Sequence, residues 1–418
     1  MAPSLVNDPA RVATIMLSWH SLDLISCTTL QTLWAGYGQI CAIIVQATTD
    51  EAAEKLSKLC GVQLGAVGTI YPLILKLISP PRENSHEDEG HLRKMLSYEV
   101  EQRFYKDVVP LLGDDLAVAQ CLASTRDMAG KEGEEELRGL MATIMVDLRP
   151  RFPIAGGKRS ALSRTQVHGA LDWLAKFHSR SWEWLPDNLT RYVLPPLEEA
   201  KRRQNIGEVI GNTLWLNGGY TYLATRRKEY SSLARDIDSE WSEAMCKPVG
   251  TCSQSVAEMA ALLLIPCGRP IESYIHGDVK SENLFTTVKG DKVAFFDFQY
   301  VGLGLGVCDL AKLFTCSIPL QMLVDADDPL PERLPMCGGE RNLLEIYRRS
   351  LLHNKDPGLY PWEAFKRDWE TALVDWCRFQ ASWGFWGNTE WLEARVRSIL
   401  SDQDWRAWLQ ESLATRSR

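Results

Sequence analysis

The sequence lacks an excess of basic residues. Its 46 lysines and arginines stand against 54 aspartates and glutamates, a formal net charge of −8. The diffuse attraction that holds a polyanion is missing, so no nucleic acid is expected as a partner. The sequence also lacks long apolar runs. None approaches the roughly 18 residues that a membrane-crossing helix needs, and no membrane partner is expected. The first 24 residues show no charged segment followed by an apolar one, so no secretory signal is expected. The 11 cysteines include no C-x-x-C pair, and the tightest spacing is Cys246 with Cys252. That excludes a small disulfide scaffold. The expectation is reduced thiols, each a small buried hydrophobe, in a cytoplasmic protein. Internal repeats and long low-complexity tracts are absent as well.

What is present is an ordinary globular composition, 45% apolar and 24% charged over 418 residues. It suits two or three domains, or one large two-lobed unit, with a core that needs no metal or disulfide staple. The first 150 residues look mixed. Residues 30–46 read as strand, tight glycine turn and strand. Residues 50–60 have helical spacing, and 69–79 form an apolar run rich in β-formers that Pro80 and Pro81 stop. Helical spacing returns over 91–112, with Leu92, Met95, Leu96, Val100, Phe104 and Val108 on one face, and 140–148 reads as a buried strand. The charge-rich stretches 80–89 and 131–138 read as solvated loops. Beyond Pro150 and Pro153 the pattern is mostly helical: one strong helix over 164–184, two or three more over 201–264, and helices again to the end. A compact β-rich segment, 274–298, interrupts them. Eight of the 15 tryptophans lie after residue 361. They read as fillers of helix–helix gaps, or in part as an aromatic wall for a substrate.

The stretch that carries chemistry is YIHGDVKSENLF over 274–285, followed by VAFFDFQ over 293–299. Asp278 and Asn283 are five residues apart, and Asp297 ends an apolar strand fourteen residues later. Phosphoryl transfer needs such a set: one carboxylate to orient the acceptor hydroxyl, and a second carboxylate with an amide oxygen to hold Mg²⁺ against a triphosphate. Upstream, Lys76 sits inside an apolar strand, where a lone ammonium is costly to bury without a partner.

These two motifs resemble the catalytic and metal loops of the protein-kinase-like superfamily, in particular the aminoglycoside phosphotransferase and choline-kinase-like families. His-Gly-Asp in place of His-Arg-Asp favours the small-molecule branch. Asp-Phe-Gln in place of Asp-Phe-Gly is most similar to the ecdysteroid-kinase-like group. The resemblance spans roughly residues 25–400 and is specific around Lys76, Glu101 and 274–311. It implies a two-lobed α+β fold. A small β-rich nucleotide-binding lobe would occupy 1–148, and a large, mainly helical lobe 149–418. It also implies ATP and Mg²⁺ as cofactors, and transfer of the γ-phosphoryl group to a hydroxyl of a metabolite, antibiotic or alcohol. A monomer or weak homodimer is expected.

The resemblance also implies a role for each matching residue. Lys76 positions the α- and β-phosphates, paired with Glu101 or, as the alternative, Glu99. Asp278 is the catalytic carboxylate, and Asn283 and Asp297 are the metal ligands. Gly36 and Gly38 form the phosphate-covering turn or a plain hairpin turn. The adenine edge meets the strand near Met145 to Asp147, unless Asp147 caps the segment after it. Lys280 either stabilises the transferring charge or is an exposed loop lysine. His276 braces the catalytic loop, His178 is core, Asp309 steadies the loop from behind, and Gly302, Gly304 and Gly306 are conformational. Two other readings stay open. One is a protein kinase, against which stands the lack of an A-P-E segment after Asp297. The other is a nucleotide-binding scaffold without turnover, whose mark would be a lost Lys, Asp or Asn. The acceptor is open; specificity is expected in 155–265 and 315–418, and a choline-type cage would need the late tryptophans with Asp375 or Glu390.

Overall fold

Alternation of apolar side chains builds the first sheet. In the computed structural model, which describes residues 8–80, 88–185, 188–206, 214–249, 253–325 and 329–416, the chain divides into two units, Met1–Arg151 and Phe152–Arg418. The first unit carries five antiparallel strands: β1 (Leu22–Thr32), β2 (Gly38–Ala47), β3 (Ile70–Ile78), β4 (Cys121–Ser124) and β5 (Met141–Val146), in the order β1-β2-β3-β5-β4. Cys41, Ile43 and Val45 of β2 and Leu73, Leu75 and Leu77 of β3 share one buried face. Val12 and Met16 of the helix Pro9–Ser18, and Ala53 and Leu56 of the helix Asp50–Cys60, join their core. Each such large aliphatic side chain contributes about 1.5–3 kcal/mol on burial. The period of two then turns Lys76 to the opposite face, between Ile40 of β2 and Thr143 of β5.

The helix Asp50–Cys60 starts where the Thr49 side chain accepts from Ala52 N and ends at Gly61, whose left-handed φ of 63° closes it. The helix expected over 91–112 stops at Arg103; a wide π turn, Phe104–Val108, follows, and Pro110 cannot donate to continue it. Of the acidic stretch 80–89, residues 81–87 lie outside the described ones, while Asp88 caps the helix Glu89–Arg103. The sequence reading missed the first helix and β4, both too short for a clear period, and started β1 eight residues late.

In the second unit the helix Arg164–Ser181 opens with a reciprocal cap, Ser163 and Gln166 each bonding the other's backbone N–H. Short strands interrupt the helices: β6 (Ile154–Ala155), β8 (Leu284–Thr286) and β9 (Val293–Phe295) form one sheet, and β7 (Ser273–Ile275) pairs with β10 (Gly302–Gly304). Among the described residues four helices stand where two or three were expected: Pro196–Ile206, Arg227–Arg235, Glu240–Cys246 and Val256–Leu264. Trp369, Trp391 and Trp405 fill helix–helix gaps, and Trp369 Nε1 donates to Glu340, which is also paired with Arg395 at 2.8 Å. The fold is thus α+β, a β-rich amino-terminal unit followed by a mainly helical one. Among the described residues every cysteine is a free thiol, and no helix is long and apolar enough to cross a membrane.

Candidate active site

In the amino-terminal unit Lys76 Nζ meets Glu101 Oε2 at 2.5 Å, both side chains buried. The helix Glu89–Arg103 brings Glu101 there, and the Tyr98 ring lies 5.6 Å from the ammonium. At the β1–β2 connection Gly36 has φ +72 and open space where a Cβ would stand. Gly38 is different: a Cβ there would lie 2.0 Å from Leu77 O, so glycine lets β2 close on β3. Met145 lies inside the sheet, opposite Ile74 on one side and Cys121 on the other, so both edges of its backbone adjoin strands. Asp147 follows the end of β5. Its carboxylate accepts from Arg149 N at 2.9 Å and binds the Arg149 guanidinium at 2.7 Å, the capping alternative. Any contact it makes with a purine would be through its main chain.

In the carboxy-terminal unit β7 leads into the loop that carries Asp278. Gly277 has φ +83, and a Cβ there would lie 2.3 Å from Tyr300 O and 2.6 Å from Gly219 N. Asp309, at the start of the helix Gly306–Cys316, fixes this loop from behind. It accepts from His276 N at 2.7 Å and Gly277 N at 2.9 Å, and it pairs with His178 Nε2 at 3.1 Å. Burial alone would raise the Asp309 carboxyl; the His178 hydrogen bond first, and then the Lys312 ammonium, hold it below its ordinary value. His276 is fully buried. Its Nδ1 accepts from Asp278 N, so Nε2 carries the proton donated to Phe296 O at 3.0 Å. Burial lowers its pKa, which suits this neutral form. The ring thereby ties the Asp278 loop to the strand end before Asp297.

Asn283 donates through Nδ2 to the Asp278 main-chain oxygen and to Asp278 Oδ2, both at 2.9 Å. Its own carbonyl oxygen is left over. Lys280 reaches Asp278 Oδ2 and Glu282 Oε1, both at 3.1 Å. Burial opposes the Lys280 charge, but these two carboxylates raise its pKa. Oδ2 of Asp278 is therefore engaged twice, and among the described residues Oδ1 makes no hydrogen bond. Leu284 pairs with Phe295 across β8 and β9, and Phe296 N donates to Asn283 O at 3.0 Å. Asn283 and Asp297 thus stand at neighbouring strand ends. Asp297 has φ +66, a backbone conformation costly for a non-glycine residue, and Gln299 Nε2 donates to its Oδ1 at 2.7 Å.

A cavity of about 340 Å³ is lined by Asp278, Tyr220, Lys312, Trp376, Trp383 and Trp386, among others. The size suits a small molecule. The late tryptophans therefore divide between core and wall. Tyr220 and Lys312 were missed in the sequence. Lys312 carried a signal, a lysine within the apolar stretch LAKLF, while Tyr220 carried none. The two acids considered for a choline-type cage do not line the cavity: Asp375 is held by Arg378 at 2.9 Å, and Glu390 is exposed at the start of the next helix.

Among the described residues no cluster of three or more His, Cys, Asp or Glu could hold a metal unaided. One carboxylate and one free amide oxygen do fit Mg²⁺, which takes few protein oxygens and completes its shell with phosphates and water.

The motif, its bracing and the paired lysine define a kinase-like protein of the small-molecule type. The chain belongs to the ecdysteroid kinase-like family, whose model matches residues 70–331. Among solved structures it is similar to amicoumacin kinase hAmiN, with 14% identity and a TM-score of 0.43 over 97% of this chain and 92% of that one. It is also similar to a Plasmodium vivax ethanolamine kinase (12%, 0.35, over 93% and 83%) and to choline kinase LicA of Streptococcus pneumoniae (12%, 0.35, over 93% and 94%). No curated protein matches by sequence.

Proposed function

We propose that the protein transfers the γ-phosphoryl group of ATP, in the presence of Mg²⁺, to a hydroxyl of a small molecule. The observation that carries this reading is Asp278 lining the cavity with one carboxylate oxygen held by Asn283 and Lys280 and the other, Oδ1, without a hydrogen bond among the described residues. Oδ1 accepts the hydrogen bond of the hydroxyl. As the new O–P bond forms, the proton passes to Asp278 and the bond between phosphorus and the bridging oxygen of ADP breaks. Asn283 and Asp297 would hold Mg²⁺, which supplies charge neutralisation at the phosphates. Lys76, aligned by Glu101, would take the α- and β-phosphates, and the turn at Gly36 and Gly38 and the main chain near Met145 to Asp147 would supply further nucleotide contacts. Lys280, paired with Asp278 and Glu282, would share the charge that moves between the oxygens. Positioning and electrostatics supply most of the rate.

The test offers ATP with a heavy-isotope γ-phosphoryl group, Mg²⁺ and a metabolite extract, and reads labelled products by mass spectrometry. A labelled small molecule is expected. The Asp278→Asn variant, which keeps the shape but not the proton acceptor, is expected to lower kcat at least about 100-fold while nucleotide still binds. Normal turnover by that variant removes Asp278 from the mechanism. Labelled protein with no labelled metabolite replaces the reading with a protein kinase.

A further inference from the structure

Lys312 lies three residues after Asp309 on the helix Gly306–Cys316, among apolar neighbours. It is 4% exposed and lines the cavity together with Asp278. Among the described residues its ammonium makes no hydrogen bond and no ion pair. Its aromatic contact, the Trp376 ring at 6.0 Å, stands at the outer limit of a useful cation–π distance. The nearby acids make their hydrogen bonds and ion pairs with other groups, and the charge of Lys312 reaches Asp309 only through space. Asp309 is held by His178 and two backbone N–H groups, Asp278 by Asn283 and Lys280, and Asp375 by Arg378. The flanking thiols are no counter-charge either, since burial pushes Cys308 and Cys316 up to about 12. Glycine at position 219 leaves the ammonium its space, because a Cβ there would lie 3.0 Å from Nζ. A buried charge without a partner is costly, and such a cost persists most readily where a ligand offsets it.

The other cations do not share this condition. Lys280 divides its charge between Asp278 and Glu282. Lys158 and Arg159 line the cavity from exposed positions, where water screens them. Lys312 is therefore the buried cation of this cavity that has no carboxylate within ion-pair distance among the described residues. Beside it stand Trp376, Trp383 and Trp386, which suit a flat apolar body.

We infer that Lys312 selects the acceptor: the cavity takes a small hydroxylated carboxylate, whose charge Lys312 balances while the aromatic wall covers its body. This rests on the phosphotransfer reading above. It disfavours amino alcohols and aminoglycosides, whose cationic groups would face an unpaired ammonium.

The probes are phenyllactate, phenyllactamide and 1-amino-3-phenylpropan-2-ol, which share a skeleton and the position of the hydroxyl and differ in charge. Each is titrated into the full-length protein while tryptophan emission is followed, then offered as acceptor with labelled ATP and Mg²⁺. Phenyllactate is expected to give a saturable change, with the amide and the amine at least about tenfold weaker. Lys312→Met is expected to weaken phenyllactate about 10- to 100-fold, and Lys312→Arg to retain most of the preference.

Equal binding of acid and amide overturns the inference, as does no saturable change with the acid, or an unaltered preference in Lys312→Met. Loss of ATP binding alone in that variant also overturns it, by assigning Lys312 to the nucleotide. Charge-selective binding that depends on Lys312, with transfer to none of the three probes nor to any metabolite of the extract, upholds the pocket chemistry and removes the kinase reading. Preferred transfer to the amide or the amine does the reverse.

Discussion

Lys76 and Glu101 show how a single pair separates stability from function. Both are buried, so removing one takes from the other the counter-charge that stands 2.5 Å away. Glu101→Ala is expected to lower stability by about 3–5 kcal/mol in urea unfolding. Lys76→Met combined with Glu101→Leu replaces the pair by apolar volume and should recover most of that loss. The double variant should no longer gain thermal stability from Mg-ATP. If it gains as much as the parent, the lysine is structural. His276 makes a second prediction at this scale. Burial depresses its pKa below the ordinary 6.5, so the folded chain refuses a proton that the unfolded chain accepts. Its share of stability is therefore full above about pH 6.5 and is lost as pH falls from there. His20, lowered to about 4 by burial and then by the charges of Lys55 and Lys131, adds to the same decline. His276→Gln should flatten the fall of the urea midpoint between about pH 6.5 and 5 relative to the parent. An unchanged slope would show that His276 is not buried neutral.

Among the elements, the loop after β7 depends most on one backbone position. Gly277 combines a positive φ with backbone atoms of Tyr300 and Gly219 where a Cβ would stand. Gly36 has a positive φ but open space. Gly36→Ala is therefore expected to carry only the backbone strain, about 1 kcal/mol, whereas Gly277→Ala must also displace its neighbours. In matched denaturation and turnover measurements Gly277→Ala should lose more stability and nearly all activity. Equal losses at the two positions would mean that the loop relaxes freely. The sequence showed these elements unevenly. The apolar run of β3 and the helical spacing over 164–184 were legible because each is local. The ends of the helix Glu89–Arg103 and the four-residue β4 were not, because tertiary pairing decides them.

For the whole molecule, charge and thiols give the broadest check. All cysteines among the described residues are free, most are buried or half-buried, and Cys267 is exposed. A thiol reagent should find Cys267 first among these in the native chain, and all 11 after denaturation without reductant. Fewer than 11 would reveal a disulfide.

By itself the sequence determined the chemistry on offer. The spacing of Asp278, Asn283 and Asp297 is local, and so is the oddity of Lys76 in an apolar strand. Both can be read because each residue's meaning comes from its own neighbours along the chain. Glu99 and Glu101 stayed open for the same reason: two residues apart on a helix, they point about 200° away from each other, and only the packing of that helix on β3 brings Glu101 to Lys76. The cavity was likewise a tertiary result. Tyr220, Asp278, Lys312 and Trp376 come from distant parts of the chain, and no local pattern says which tryptophans fill the core and which face a ligand. Side-chain direction there follows from how the helices pack, and that is a sum over long-range contacts.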